Sequence, residues 1–424
     1  MIGHGRYHCR FRHKRIMCEW NYFDSVPEYH PIADADNLYD GFRAARKGSH
    51  WKAQVQRFRW NLMRDIRALQ KELTALKEGR PGAYELSPYS RFLVIERGKT
   101  RAITALCMRD RVVKHALNDL YLVPHIRPHL IYDNGASLKG KGVAFTRSRL
   151  VAHLERFYRE TGGNDGYIMC MDFSGFYDNI DHGVAMQMIR KYEPDPFARL
   201  LTQQAYDSYR VDVSELNDEE YERARREKFS MVEYRKTGHP MTGKRFLNKS
   251  LSVGDQTSQI TAIAFPTPID KLVKTVCSAR YYARYMDDLY VIARTREELE
   301  TIRRRIEALA KRMKLFVHPR KTKICRLSRT FTFMQHKYYL TGTGHVVVRI
   351  SPKTVTRMRK RLKKLAGRVE KGLTRAVKVT EMFRSWIANY GPQLSKRQRA
   401  QLVSLYQNLF GGGLNSWMQM RNIA

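Results

Sequence analysis

Two adjacent acids, Asp287 and Asp288, are the residues of this chain whose types and spacing point most clearly to chemistry. They stand in the motif Tyr285-Met286-Asp287-Asp288, between two runs rich in β-branched and aromatic residues, and this pattern predicts a tight hairpin with the acids at its tip. Neighbouring carboxylates repel each other, and a bound divalent cation removes that repulsion. An ordinary hairpin turn is the competing interpretation, because Asp is common in turns.

A third acid far upstream favours the metal interpretation. Asp172 follows an apolar run, residues 167–171, that is typical of a buried strand. A carboxylate at the end of a buried strand is costly unless it is paired or binds a metal ion. Three carboxylates from neighbouring strands can hold two Mg²⁺ ions about 3.5–4 Å apart, as in two-metal phosphoryl transfer. We therefore predict that Asp172, Asp287 and Asp288 bind two Mg²⁺ ions.

The composition predicts a nucleic-acid partner. The chain carries 78 Lys and Arg against 41 Asp and Glu, a formal net charge of +37. An excess of this size repels itself without a polyanion, which argues against a merely basic soluble surface. Binding should therefore weaken steeply with salt.

The sequence also predicts a cytoplasmic protein. No apolar run approaches the roughly 18 residues of a membrane-spanning helix, and the N-terminus lacks an apolar signal region. The six cysteines are scattered along the chain, which favours reduced thiols.

The motifs resemble those of reverse transcriptases. The Tyr285-Met286-Asp287-Asp288 motif resembles the palm hairpin of that family, and the segment that begins at Asp172 resembles the first palm motif of group II intron and related bacterial enzymes. The resemblance continues in the family's order through most of the chain, from about residue 51 to residue 390. It implies RNA-templated DNA synthesis by a protein with an α+β right-hand polymerase fold.

The resemblance also implies a division of the chain into four parts. These are a basic N-terminal extension at 1–50, fingers at 51–165, a palm at 166–345 with an antiparallel sheet backed by helices, and a helical thumb at 346–424. The palm contains a highly charged segment, residues 206–247, which we name the charged insertion. We expect it to form an exposed helix with a flanking loop.

Residues that would hold the nucleotide are assigned from the resemblance. Lys99 and Arg101, with Arg97 as a third candidate, lie in a predicted fingers hairpin whose cations would meet the triphosphate. Tyr177 would stand under the sugar and exclude a 2′-hydroxyl. A tyrosine that only packs a helix is the alternative for Tyr177.

The second palm motif departs from the usual family pattern. Val253 stands where the family has glutamine and Gln259 where it has proline, whereas Gly254 and Ser258 are kept. We assign Gly254 and Gln259 to nucleotide binding, because glycine permits close approach of the backbone. This form of the motif resembles that of diversity-generating retroelement enzymes and of some defence-associated bacterial reverse transcriptases.

The resemblance adds two details to the metal site. Phe173 would contribute only its backbone carbonyl, and Mn²⁺ could replace Mg²⁺. Lys321, in a segment that resembles the motif with a lysine near the pyrophosphate, would be the general acid for the leaving group. The alternative for Lys321 is neutralisation of phosphate charge without proton transfer.

Candidate nucleic-acid contacts lie in a Gly- and Lys-rich loop and the helix after it, in a segment that resembles the primer grip, and on a basic thumb helix. They are Lys139, Lys141, Arg147, Met334, Gln335, Arg357, Lys360 and Lys364.

Helical periodicity predicts three further elements. One helix runs from residue 51 to residue 76 and ends at Pro81-Gly82. A thumb helix buries a stripe that begins with Val355, Met358 and Leu362. Another thumb helix begins at Ser395 and runs to residue 410.

Several functions remain open. We expect phage defence guided by a dedicated structured RNA, because the chain is compact, lacks intron-type appendages and carries the variant second motif; diversity generation is the alternative. An RNA-dependent RNA polymerase is disfavoured by Tyr177, and an inactive RNA-binding protein is disfavoured by the intact acids. The implied partners are an RNA template, the cDNA product and dNTPs, with no membrane. The primer and a homo-oligomer stay open.

Overall fold

The computed structural model describes residues 29–88, 90–96, 99–236 and 242–411. Residues 1–28 of the predicted N-terminal extension and Arg97 lie outside this part of the chain. Internal contacts divide the chain into two compact units. The first comprises Met1–Tyr89 and Leu106–Leu120, and the second comprises Ser90–Ala105 and Tyr121–Ala424. The fourfold division into extension, fingers, palm and thumb stays a prediction.

The first unit is helical in its described residues. A short 3₁₀ helix at Pro31–Ala33 precedes four α-helices: α1 (Ala35–Ala45), α2 (Ala53–Trp60), α3 (Leu62–Glu78) and α4 (Met108–Leu117). Asp34 caps the N-terminus of α1, because its side chain accepts hydrogen bonds from the backbone amides of Asp36 and Asn37. Phe42 in α1 and Val112 in α4 are fully or almost fully buried.

The helix predicted for residues 51–76 is broken in the structure. Asn61, at φ −108° and ψ 23°, separates α2 from α3, and its side-chain amide donates to the Arg57 carbonyl. A side chain that bonds the local backbone in this way competes with helix continuation. Helix α3 ends at Gly79, which has φ 65°, rather than at Pro81-Gly82.

The strands of the second unit are all paired antiparallel. They are β1 (Ser90–Glu96), β2 (Lys99–Ala105), β3 (Tyr167–Met171), β4 (Val211–Asp212), β5 (Phe246–Leu247), β6 (Tyr281–Tyr285), β7 (Asp288–Ala293), β8 (Lys323–Arg326), β9 (Phe331–Phe333), β10 (His336–Leu340) and β11 (Val346–Ile350). The largest sheet has the order β6-β7-β3-β8, and the others are β1-β2, β4-β5 and β11-β10-β9.

The α-helices of the second unit are α5 (Val123–Ile126), α6 (Val143–Thr161), α7 (Phe176–Asn179), α8 (His182–Tyr192), α9 (Pro196–Tyr209), α10 (Asp218–Arg226), α11 (Met231–Lys236), α12 (Gln256–Ala264), α13 (Thr267–Lys271), α14 (Arg296–Arg312), α15 (Pro352–Glu370), α16 (Ala376–Tyr390) and α17 (Lys396–Phe410). Helices α6 and α14 contact the largest sheet, and α15 to α17 form the C-terminal region. Short π and 3₁₀ segments lie at Asn118–Leu122, Arg127–His129, Leu272–Val276 and Gly391–Gln393. The α+β class predicted from the sequence is confirmed.

Two hydrophobic clusters organise the second unit. One joins helix α6 to the four-stranded sheet, with Phe157, Ile168 and Tyr290 almost wholly buried. The other holds α15, α16 and α17 together and contains the predicted stripe that begins with Val355. Ser395 caps α17 and exchanges two hydrogen bonds with Gln398. The predicted start of this helix at Ser395 agrees with the structure.

Two expectations about composition can be compared with the structure. No helix in the described part of the chain is long and apolar enough to cross a membrane. The four cysteines that lie in described residues form no disulfide; they are Cys107, Cys170, Cys277 and Cys325.

Candidate active site

The two adjacent acids lie at the tip of a tight hairpin. Strands β6 and β7 pair up to Tyr285 and Asp288, so that only Met286 and Asp287 form the turn. Met286 has φ 54°, and a positive φ at the first turn residue alone is the pattern of a type II′ hairpin turn, which glycine usually supplies. A non-glycine residue pays a conformational cost there, and such positions cluster at functional sites.

A buried arginine holds this turn. Arg284 Nη1 donates to the Met286 carbonyl at 3.0 Å, and Nη2 lies 2.6 Å from Asp270 Oδ2, with both side chains fully buried. Arg284 Nε also donates to Asp270 Oδ1 at 2.8 Å. Helix α13 therefore fixes the turn through an ion pair. We did not predict Arg284 or Asp270 as site residues; the signal was a charged residue within each of two apolar segments.

The sheet brings Asp172 to the same place as the hairpin acids. Strand β3 pairs with β7, and its last pair is Met171 with Leu289. One further step along the two strands places Asp172 opposite Asp288, with both side chains on one face. Opposed residues of an antiparallel pair have Cβ atoms about 5 Å apart. The candidate acids therefore gather at one end of β3 and β7.

Asp172 is held on both its backbone and its side chain. Its carbonyl accepts from the His318 amide at 2.8 Å, and its Oδ2 lies 2.6 Å from Lys321 Nζ. Its Oδ1 is buried and accepts no hydrogen bond. A buried carboxylate oxygen without a partner is costly and fits a position that binds a cation. Lys321, predicted to act near the leaving group, thus contacts a predicted metal ligand.

The side chains of Asp172, Asp287 and Asp288 supply some of the ligands that a divalent cation needs, but not a complete set. In the described ranges there is no group of three or more His, Cys, Asp and Glu side chains close enough together to hold a metal ion. Mg²⁺ commonly takes only one or two protein carboxylates and completes its shell with water and substrate phosphates. The oxygen atoms, their charge and the unpartnered Asp172 Oδ1 suit that mode of binding.

Phe173 adds a backbone carbonyl beside this cluster. It pairs with Val317 in an isolated antiparallel bridge, whose hydrogen bonds join Ser174 to Phe316 and His318 to Asp172. The Phe173 carbonyl is therefore not used in that pairing. Phe173 as a whole is 1% exposed, and its ring stacks on that of Phe176 with centroids 6.1 Å apart.

Tyr177 faces the acids from helix α7. The pKa of its hydroxyl is raised to about 12, mainly by burial and also by the charge of Asp287 and by Tyr285, while the charge of Arg101 opposes the rise. These interactions place Tyr177 near the turn and near Arg101. Arg101 is exposed on β2, and the backbone of Lys99 begins that strand. Residues 251–253 connect the two elements, because the Leu251 amide donates to the Tyr177 carbonyl at 2.8 Å and the Thr104 amide on β2 donates to the Val253 carbonyl at 3.2 Å.

The second palm motif packs on strand β2 of the β1–β2 hairpin. The Thr104 amide donates to the Val253 carbonyl at 3.2 Å. Gly254 has φ 112°, and a Cβ there would lie 3.3 Å from the Thr104 carbonyl oxygen. The positive φ strains any other residue at this position, and the Thr104 carbonyl leaves little room for a side chain. Gln259 is half-buried one turn into α12, whereas Ser258 is fully buried and its hydroxyl has no hydrogen-bond partner.

A second buried network supports the hairpin from the side of α6. The Arg284 amide donates to the Asp133 carbonyl, and the Asp133 carboxylate lies 2.5 Å from Arg149 Nε and 3.5 Å from His153 Nε2. Burial would raise the pKa of Asp133, but the hydrogen bonds and charges of His153 and Arg149 outweigh it and lower the pKa to about 2. His153 also contacts the hydroxyl of Tyr290 at 2.9 Å.

The template candidates differ in their surroundings. Lys139 is exposed. Lys141 donates to the Tyr132 carbonyl and lies 3.9 Å from the centre of the Phe145 ring, so its ammonium is engaged within the protein. Arg147 is half-buried. Burial lowers the pKa of His336, and the nearby charge of Arg147 lowers it further.

The primer-grip candidates form the turn of a second hairpin. Strands β9 and β10 leave only Met334 and Gln335 between them, with φ of 45° and 68°. Two successive positive φ values are the pattern of a type I′ turn. Met334 packs against the sheet cluster, and Gln335 is exposed.

The thumb candidates share one exposed face. Arg357, Lys360 and Lys364 lie on α15 and are all exposed, while Val355 and Leu362 on the same helix are buried. The helix therefore packs by one stripe and offers a row of cations on another. Such a row suits the phosphates of a duplex.

Three solved structures similar to the chain are telomerases. Apo telomerase from Candida tropicalis has a TM-score of 0.43 and 12% identity, over 77% of this chain and 63% of that chain. Telomerase from Candida albicans in complex with a TWJ fragment of telomeric RNA has a TM-score of 0.40 and 11% identity, over 66% and 49%. The Candida tropicalis enzyme truncated from its C-terminal domain has a TM-score of 0.38 and 13% identity, over 61% of this chain and 54% of that chain. The chain thus spans between 49% and 63% of these proteins.

The family of the chain follows from a match to a protein-family model, not from any single related protein. No curated protein matches it. Residues 90–338, more than half of the chain, match the family described as Reverse transcriptase (RNA-dependent DNA polymerase). That range includes Asp172, Tyr177, Asp287, Asp288 and Lys321. The chain therefore belongs to the reverse transcriptase family, whose enzymes generally use divalent metal ions.

Proposed function

We propose that the chain is an RNA-directed DNA polymerase that extends a primer on an RNA template. The observation that supports this most directly is the register of β3 with β7, whose last pair, Met171 with Leu289, directly precedes Asp172 on one strand and follows Asp288 on the other. The proposal includes the fingers, palm and thumb organisation expected from the sequence.

Mg²⁺, with Mn²⁺ as a substitute, is the cation we propose for this site. Two bound ions would supply the positive charge that the transferring phosphoryl group and the leaving pyrophosphate require. Asp172, Asp287, Asp288 and the Phe173 carbonyl would hold them. The Lys321 ammonium, 2.6 Å from Asp172 Oδ2, balances the charge of that carboxylate and would also meet phosphate oxygens.

The remaining side chains would bind and select the nucleotide. Lys99 and Arg101 would meet the triphosphate from the β1–β2 hairpin, because cations there offset its charge. The Tyr177 ring would occupy the space that a ribose 2′-hydroxyl needs. Gly254 and Gln259 would contact the nucleotide and template base. Lys321 would protonate the leaving pyrophosphate, or alternatively only neutralise it.

The partners we propose are an RNA template, the DNA product and dNTPs. Shape and backbone contacts should dominate RNA binding, as for A-form duplexes. The template candidates Lys139, Lys141 and Arg147 and the thumb row on α15 support this with positive charge.

For the biological role we propose phage defence with a dedicated structured RNA. The variant second motif around Gly254 and Gln259 supports this role, and it equally fits diversity generation, the second candidate. A structured non-coding RNA encoded beside the gene, together with phage resistance, would favour defence. A neighbouring pair of template and variable repeats would favour diversity generation.

The decisive experiment identifies the product. The protein, purified with the RNA that accompanies it, is given Mg²⁺ and labelled dNTPs or NTPs, and the product is digested with DNase or RNase. We expect a DNase-sensitive product that the Asp287→Ala/Asp288→Ala variant does not make. A product made only from NTPs would indicate an RNA polymerase, and no product with RNA still bound would favour a binding protein.

A further inference from the structure

The charged insertion is a folded part of the second unit in its described residues. Its ends are joined by the pairing of β4 with β5. Val211, Val213, Phe229, Met231 and Leu247 form a small hydrophobic cluster in which each residue is at most 8% exposed. Only α10 agrees with the expected exposed helix, since none of its residues is buried. The two short strands and the cluster were not predicted.

The insertion is anchored to the palm by a buried lysine. Lys249, which is 4% exposed, donates from Nζ to the Ala224 carbonyl at 2.6 Å and to the Glu227 carbonyl at 2.9 Å. These carbonyls end helix α10, where a cation is favourable. The backbone of Lys249 also pairs with that of Asp181. The outer helix is therefore tied down at its C-terminus.

The insertion also holds helix α7 through an asparagine. Asn179 is 1% exposed; its Oδ1 accepts from the Phe229 amide at 2.7 Å, and its Nδ2 donates to the Phe229 carbonyl at 2.9 Å. Asp178 Oδ2 accepts from the Met231 amide at 3.2 Å. Two consecutive side chains of α7 thus bind the backbone of the insertion.

Helix α7 also carries Tyr177. The helix comprises only Phe176–Asn179, and a single helical turn is not stable by itself. The position of the Tyr177 ring therefore depends on what fixes the turn, and this includes the contacts of Asp178 and Asn179 with the insertion as well as the hydrogen bond from the Leu251 amide to the Tyr177 carbonyl at 2.8 Å.

The insertion also supports the strand that carries Arg101. Helix α11 contacts β2, and Ala102 packs against the insertion's hydrophobic cluster. Successive side chains of a strand point to opposite faces, so Arg101 points away from this contact. The insertion thus contacts both the helix that carries Tyr177 and the strand that carries Arg101.

We propose that the charged insertion is a positioning element for nucleotide selection, and that Asn179 is its central positioning residue. This rests on the proposed function, because it assigns Tyr177 to the nucleotide sugar. A ring that excludes one hydroxyl group acts only when its position is fixed, and a displacement of about 1 Å can change a rate by about 10²-fold. Release of α7 therefore weakens discrimination before it abolishes synthesis.

The experiment measures kcat/KM for a dNTP and for the matching NTP with the full chain on one RNA template. In Asn179→Ala we expect the ratio of the dNTP value to the NTP value to fall about tenfold or more, chiefly through a lower KM for the NTP, with the affinity for the template–primer duplex unchanged. Met231→Ala, which alters only the insertion side, should shift the ratio in the same direction by less.

Asn164→Ala is the matched control. It removes a similar amide bond to the backbone, to the Leu340 carbonyl at 2.9 Å, away from α7. A merely structural loss would affect both variants alike, whereas we expect the ratio to stay at the wild-type value in Asn164→Ala. An unchanged ratio in folded Asn179→Ala and Met231→Ala, or an equal fall in Asn164→Ala, would overturn the proposal.

Hydrogen exchange separates this inference from the proposed function. Backbone amides of residues 176–179 should exchange at least tenfold faster in Asn179→Ala and not in Asn164→Ala. If the wild type incorporates neither nucleotide, the proposed function fails. Even in that case, unchanged exchange at residues 176–179 in Asn179→Ala would refute the inference that the insertion supports α7.

Discussion

Arg284 and Asp270 form a fully buried ion pair, with Arg284 Nη2 2.6 Å from Asp270 Oδ2, and the same guanidinium donates to the carbonyl of Met286. A buried ion pair contributes little net stability, because desolvation offsets the attraction. Its value here is geometric, since the planar guanidinium binds the carboxylate and the turn carbonyl at once. Helix α13 thereby aims the turn that carries Asp287.

We predict that Arg284→Lys lowers kcat by about 10-fold to 10²-fold, with little change in the KM for the nucleotide. Lysine keeps the charge, but its ammonium cannot span both Asp270 and Met286. Single-turnover extension measures the effect. Arg303→Lys, in an exposed ion pair on α14, is the matched control and should behave as wild type. Wild-type kcat in Arg284→Lys would refute the role of the pair.

Removal of the acid from the same pair should instead affect stability. Asp270→Asn leaves the buried Arg284 charge without its counter-ion, and breaking such a pair costs about 3–5 kcal/mol. Urea unfolding followed by fluorescence measures this loss. A change below about 1 kcal/mol would show that the buried pair is not needed for the fold.

Tyr177→Ala should relax discrimination against NTPs by about tenfold or more, because the ring that excludes the 2′-hydroxyl is gone. Tyr177→Phe keeps the ring and should discriminate as wild type does. Competition between a dNTP and its NTP on one template measures both. Equal discrimination in all three proteins would favour the helix-packing interpretation of Tyr177.

The thumb row on α15 should account for part of the salt dependence. Arg357→Ala/Lys360→Ala/Lys364→Ala removes three exposed cations and should reduce the slope of log Kd against log salt by about two to three. Fluorescence anisotropy on an RNA–DNA duplex measures the slope. The control removes three exposed cations of α14: Arg304, Lys311 and Arg312. An equal change in both variants would argue against a specific thumb contact.

Asp133 should contribute to stability in a defined pH range. Its pKa is about 2 in the folded protein, against an ordinary value of 3.8. A lowered carboxyl pKa stabilises the fold above pH 3.8, and this contribution disappears as the pH falls towards 2. About 2 kcal/mol of stability depends on it. The difference in unfolding free energy between wild type and Asp133→Asn should therefore shrink between about pH 4 and pH 2, and a constant difference would contradict this.

The sequence predicted the parts of the site that depend on local patterns. An apolar run before Asp172 and β-like runs around Asp287 predict strands ending in acids, and the register of β3 with β7 agrees with this. The thumb stripe from Val355 followed from helical spacing. These signals lie within a few residues of one another along the chain.

The unpredicted parts depend on contacts between distant residues. Asn179 and Phe229 are 50 residues apart, and no periodicity in either segment points to the other. Arg284 and Asp270 each interrupt an apolar segment, which indicates a buried charge but not its partner. The break at Asn61 shows that apolar spacing can continue through a position where a side chain bonds the local backbone.

The most direct test of the whole account is the rate of single-turnover primer extension by Asp172→Asn on a defined RNA template with dNTPs and Mg²⁺. We predict a rate at least about 10²-fold below wild type, with unchanged melting temperature and duplex affinity. Asp165→Asn, the same change at an exposed position just before β3, should extend normally. Extension by Asp172→Asn at the wild-type rate would contradict the assignment of the active site.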